Sequence, residues 1–69
     1  MKPEAVKRIM TALGGNTEAD IYMRGASEAF GVPSGVEWKV SVTDGVLQLW
    51  HKKLGSFWID CESIFIIRA

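Results

Sequence analysis

Cysteine is almost missing from this chain of 69 residues: Cys61 stands alone, so no internal disulfide can form. Histidine is equally scarce, and His51 with Cys61 cannot supply the four ligands of a structural zinc site. No metal or cofactor is therefore expected. Neither charge is in surplus, with eight Lys and Arg against eight Asp and Glu. A duplex binder normally carries an excess of cations, so the balance speaks against that class. No apolar run approaches the roughly 20 residues that span a bilayer, and Met1-Lys2-Pro3-Glu4 does not open an apolar leader. No membrane association is expected, and a soluble, cytoplasmic, reducing setting fits these features. A chain this short buries only about 60% of the surface it exposes when unfolded. With disulfides and zinc excluded, an oligomer or a partner protein is the expected source of further stability.

What is present reads first as helix. Pro3 suits a first helical turn, and Glu4 complements the dipole there. Val6, Ile9, Met10 and Leu13 then recur at i, i+3, i+4 and i+7, and Gly14-Gly15 offers the left-handed cap. Thr17 with Asp20 resembles an N-cap pattern, which predicts a second helix over 18–30 with Tyr22, Ala26, Ala29 and Phe30 on its apolar face. Gly25 in its middle costs about 1 kcal/mol against alanine. Gly31, Pro33, Ser34 and Gly35 break the chain before the sheet.

The clearest pattern lies beyond that break. Val36, Trp38, Val40 and Val42 alternate with Glu37, Lys39, Ser41 and Thr43, the period of a strand with one buried face. Asp44-Gly45 predicts a two-residue type I′ turn, which would pair Thr43 with Val46, Lys39 with Trp50 and Glu37 with Lys52. A second, three-residue turn at Lys53-Leu54-Gly55 would pair His51 with Phe57 and Trp50 with Trp58. Trp38, Val40, Val42, Leu47, Leu49, His51, Phe57, Ile59 and Cys61 then form the core face. Ile64-Phe65-Ile66-Ile67 lacks alternation, which implies cover on both sides. The expected architecture is α+β, one domain over 1–69. Two N-terminal helices (3–30) would pack on a four-stranded antiparallel sheet (36–68). A helix followed by short curled strands also resembles small SH3-like or Sm-like barrels, as fold analogy.

Several constellations invite chemistry. His51, Asp60 and Cys61 suggest a nucleophile with its base, but the expected register puts His51 and Cys61 on the order of 13 Å apart and turns Asp60 away. The plainer reading is a buried small thiol and a histidine at the core's rim, so no catalytic residue is assigned and the chain is read as a non-enzyme. Gly14-Gly15-Asn16 follows a helix and lacks the spacing of a phosphate loop. Ala26 to Pro33 resembles the turn of a helix-turn-helix, but the recognition helix would fall on the cleanest strand. The feature that stands out is Trp50 and Trp58 on the outer face, beside Lys39, Lys52 and Gln48. Exposed aromatics on a sheet mark binding hot spots, unless another element of the chain or a homodimer partner covers them. The same indoles could stack single-stranded bases, with the lysines on phosphates.

Gly35, Asp44, Gly45, Gly55, Trp58, Ile59, Asp60 and Cys61 follow the order glycine, strand, Asp-Gly turn, strand, Gly-x-x-Trp-Ile-Asp-Cys. Over Gly35 to Glu62, about two-fifths of the chain, this resembles the C-terminal part of a small type I-F anti-CRISPR protein, with a one-residue gap before Gly55. The N-terminal part departs from that protein, which opens with a strand and one helix. The resemblance implies a phage-encoded inhibitor that binds a CRISPR–Cas surveillance complex and occupies a surface that target DNA needs. The expected function is a non-catalytic protein–protein interaction module. The alternatives are a nucleic-acid-binding module using the same patch and a structural homo-oligomer.

Overall fold

The computed structural model describes residues 1–69. It contains one helix, α1 (Pro3–Leu13), and six strands: β1 (Ala19–Met23), β2 (Phe30–Val32), β3 (Glu37–Ser41), β4 (Val46–His51), β5 (Gly55–Asp60) and β6 (Ile64–Arg68). A 3-10 turn, Cys61–Ser63, separates the last two strands. The strands form two antiparallel sheets of three, in the orders β2-β1-β6 and β3-β4-β5. This replaces the expected pair of helices on a four-stranded sheet.

α1 forms where its periodicity places it. Pro3 sits at the start, and Gly14, at φ 71°, ends it by donating its N–H to the Met10 carbonyl. Val6 and Met10 are buried, while Lys7 and Arg8 face solvent.

The second helix does not exist. Residues 19–23 alternate instead, with Ala19 and Ile21 inward and Asp20 and Tyr22 on the other face. Gly25 stands at φ 80° in a turn closed by the Ala26 N–H on the Met23 carbonyl, a conformation that interrupts any helix through it. The helix-turn-helix candidate is lost with it, because Phe30–Val32 is a strand. β1 is fixed by partners on both sides: Ile21 opposes Phe30 of β2 and Ile67 of β6. Those ladders satisfy its backbone groups, which outweighs a weak local preference.

Within its strands the β3-β4-β5 sheet keeps the expected faces but not the expected register. Type I′ needs positive φ at both Asp44 and Gly45, and only Gly45 has it, at 68°. Asp44 instead donates its N–H to Ser41 Oγ, whose hydroxyl donates to the Asp44 carboxylate at 3.1 Å. Gly45 N–H reaches the Ser41 carbonyl at 2.8 Å. The loop thus takes four residues, and Ser41, not Thr43, opposes Val46. Val42 leaves the core for solvent. The next hairpin turns on Lys52, Lys53 and Leu54, with Gly55 at φ 83° opposite His51. Both registers differ from expectation by two residues, and a slip of two returns each side chain to its own face.

After β5 the chain does not return beside it. The Asp60 carboxylate accepts from the Glu62 N–H, and the Ser63 hydroxyl donates to the Asp60 carbonyl. This short turn redirects β6 onto β1. A bulge there, between Tyr22 and Met23, leaves Phe65 unpaired. Phe65 and Ile66 are consequently about half exposed, so the expected cover on both faces of 64–67 is absent.

The core joins the sheets and helix through Val6, Met10, Ile21, Val32, Val36, Leu47, Leu49, Ile59, Cys61 and Ile64. Phe30 meets Phe57 edge-on at 5.1 Å, bridging the two sheets. The linker after α1 is tightly placed as well. A Cβ on Gly15 would stand 2.7 Å from the Val36 carbonyl oxygen, while the Gly15 carbonyl accepts from the Gly35 N–H. Gly15→Ala is expected to destabilise the fold by about 1–3 kcal/mol, as overpacking against rigid backbone does. Urea unfolding of the two proteins measures it; Gly14→Ala, which meets no neighbour, reports the φ cost alone.

Candidate functional site

The outer face of β3-β4-β5 is a grid of three rows. Glu37 opposes Trp50, which opposes Ser56; Lys39 opposes Gln48, which opposes Trp58; Ser41 opposes Val46, which opposes Asp60. Pleating places all nine on the side away from Leu47, Leu49 and Ile59. Nothing in the chain covers them: Trp58 is 66% exposed and Trp50 43%. The second helix that could have shielded the indoles is absent.

Four of the five residues expected on this patch share it: Trp50, Trp58, Lys39 and Gln48. Lys52 does not. It lies in the β4–β5 turn and is not opposite Glu37, because the four-residue β3–β4 loop sets Trp50 opposite Glu37 and β4 ends at His51. Lys39 is likewise opposite Gln48 and not Trp50; the cation–π contact in the molecule is Arg68 over Tyr22, 5.8 Å from the ring centre.

Two shallow depressions cut the face. One, of about 390 Å³, is walled by Trp58 and Asp44 and floored by Val46. The other, of about 200 Å³, lies between Trp50 and Glu37 and is also bordered by Trp38. Lys39 and Gln48 border both and form the ridge between them. Sequence reasoning missed the contribution of Asp44, which reaches the face only because the four-residue loop folds back beside Ser41. Glu37 is visible in the alternation, but the expected register sets it opposite Lys52, whereas it stands opposite Trp50.

The other constellation comes apart. His51 Nδ1 accepts from the Lys53 N–H at 3.1 Å and so closes the β4–β5 turn. Cys61 is six positions beyond Gly55, the residue opposite His51, on the order of 20 Å away along β5. Cys61 is fully buried. Burial pushes its thiol above the ordinary value of 9.0, with the Asp60 carboxylate adding to the shift. In the unfolded chain the thiol ionises first, so this contribution is full below the ordinary thiol range and is lost as pH climbs through it toward the folded value. Stability should therefore decline above about pH 9, and Cys61→Ala should flatten that decline in pH-dependent melts. A thiol reagent is expected to label Cys61 only as fast as the protein opens. Rapid labelling of the native state would contradict its burial.

A second apolar patch, Tyr22 with Phe65 and Ile66, lies on the other sheet. The rings of Tyr22 and Phe65 are 6.4 Å apart, and Arg68 reaches from Tyr22 to Asp20 at 3.5 Å. The Met1 amino group donates to the carbonyls of Cys61 and Ile64, holding the N-terminus against the 3-10 turn. No helix is long and apolar enough to cross a membrane. Comparisons with protein-family models, curated proteins and solved structures find no match to this chain.

Proposed function

We propose that this chain is a non-catalytic binding module whose β3-β4-β5 outer face docks a protein partner. The observation that carries the reading is the pair of uncovered indoles, Trp50 and Trp58, on a sheet whose opposite face already completes the core. Large aromatics flanked by polar groups are the usual anchors of protein interfaces. The face has one lysine, Lys39, against Glu37 and Asp60, a poor match to a phosphate backbone. That balance favours a protein over a nucleic acid.

The resemblance over Gly35 to Glu62 supplies the first partner to test, a type I-F CRISPR–Cas surveillance complex in a bacterial cytoplasm. In this reading the chain acts as a phage-encoded inhibitor by occupying a surface that target DNA needs. The immobilised chain is presented with the purified complex, free or preloaded with target DNA. Binding of the free complex, competition by DNA, and loss with Trp50→Ala/Trp58→Ala are the expected results. No binding removes the inhibitor assignment. Uptake of single-stranded DNA that falls steeply with salt would move the face to the nucleic-acid class. Self-association that disappears with the double variant would make it a homo-oligomer interface.

A further inference from the structure

We infer that the outer face recognises an extended, arginine-bearing segment of its partner, with two arginines separated by a single residue seated in the two depressions. The inference rests on the reading of this face as a protein-docking surface and specifies the chemistry it selects. Each depression joins an exposed indole to one carboxylate: Trp58 with Asp44, and Trp50, beside the half-buried Trp38, with Glu37. A guanidinium is the side chain that uses both at once, since its plane stacks on an indole while its edge donates to a carboxylate. Asp60, at the end of the third row, extends the negative side of the face. Three carboxylates thus surround the indoles, against the single ammonium of Lys39. The charge is complementary to a basic segment and repels an acidic one.

The spacing selects the sequence of that segment. The depressions are centred two residues apart along β4, about 7 Å at roughly 3.4 Å per residue. An extended peptide repeats its side chains on one face at the same interval, so Arg-Xaa-Arg reaches both depressions from one side. Insertion of a second intervening residue turns one arginine away. Lys39 and Gln48, on the ridge, are then placed to donate to backbone carbonyls of the crossing segment. Lysine in place of arginine keeps the charge but loses the planar fork, so it should bind less well.

Capped Arg-Ser-Arg, Arg-Ser-Ser-Arg and citrulline-Ser-citrulline peptides, with oligo-dT as a fourth probe, are titrated into the isotope-labelled protein at low ionic strength. The indole N–H signals of Trp38, Trp50 and Trp58 are followed. Arg-Ser-Arg is expected to move those of Trp50 and Trp58 more than that of Trp38, which borders the second depression but packs against the core. The citrulline peptide should bind about ten-fold more weakly, and Arg-Ser-Ser-Arg several-fold more weakly. Glu37→Gln and Asp44→Asn should each weaken Arg-Ser-Arg several-fold; asparagine retains an acceptor for the Ser41 hydroxyl, so the loop survives. Equal, tryptophan-dependent binding of the arginine and citrulline peptides would overturn the cationic selectivity while leaving a protein-docking face. Response to oligo-dT alone, or to no probe, would overturn the selectivity and count against the docking reading too.

Discussion

Ile21→Ala is expected to remove a large part of the stability of this protein. Ile21 is wholly buried at the centre of β1, between Phe30 and Ile67. Truncation of such a side chain costs about 2–5 kcal/mol, the lost transfer energy plus the cavity left behind. A domain of this length has roughly 3–10 kcal/mol in all. The midpoint of thermal unfolding should fall by on the order of 10–30 °C. The experiment also separates the two structures the segment could take. On a helix over 18–30, Tyr22 would face the core and Ile21 would not, so Tyr22→Ala would be the costlier change. In the β1 ladder the order is reversed. Circular dichroism melts of the two variants decide it, and a loss below 1 kcal/mol for Ile21→Ala would refute the strand.

The second large effect is on binding and leaves stability nearly untouched. Trp58→Thr is expected to weaken the partner complex by about 2 kcal/mol or more, some thirty-fold, and Trp50→Thr by a similar amount. Threonine retains a side chain suited to a strand, so the sheet should lose only a few tenths of a kcal/mol. The asymmetry between the two readouts is the informative part. A residue held in place for the fold lowers the unfolding midpoint when it is removed; an anchor for a partner lowers affinity and spares the midpoint. If Trp58→Thr melted well below the parent, its indole would be serving the fold.

Much of the site was legible because alternation is a local property. Val36 to Thr43 and Val46 to His51 assign Lys39, Gln48 and Trp50 to one side of a sheet without knowledge of the turn between them. Even a register wrong by two residues preserves those sides, which is why four of the five expected patch residues are found together. Lys52 was misplaced for the same reason: the strand period says which face a residue takes but not where the strand stops. Asp44 illustrates the complementary limit. Its identity favoured a type I′ turn, but its hydrogen bonds with Ser41 stabilise a longer loop that brings its carboxylate to the edge of the face.

By itself, the sequence determined α1, from Pro3 through the Val6 and Met10 stripe to Gly14. It also determined the β3 to β5 strands and the side of the sheet on which each tryptophan lies. These follow from side-chain periodicity and from the φ preferences of proline and glycine, which act over a few residues. Tertiary structure alone decided that 19–23 is a strand, that β6 joins β1 and leaves β5 at an edge, and that two sheets form where one was expected. Asp20 and Arg68, or Ile21 and Ile67, are paired across more than forty intervening residues. Backbone groups in β1 are satisfied only when that distant strand arrives. A five-residue segment is too short to announce by its own pattern which partner will complete its hydrogen bonds.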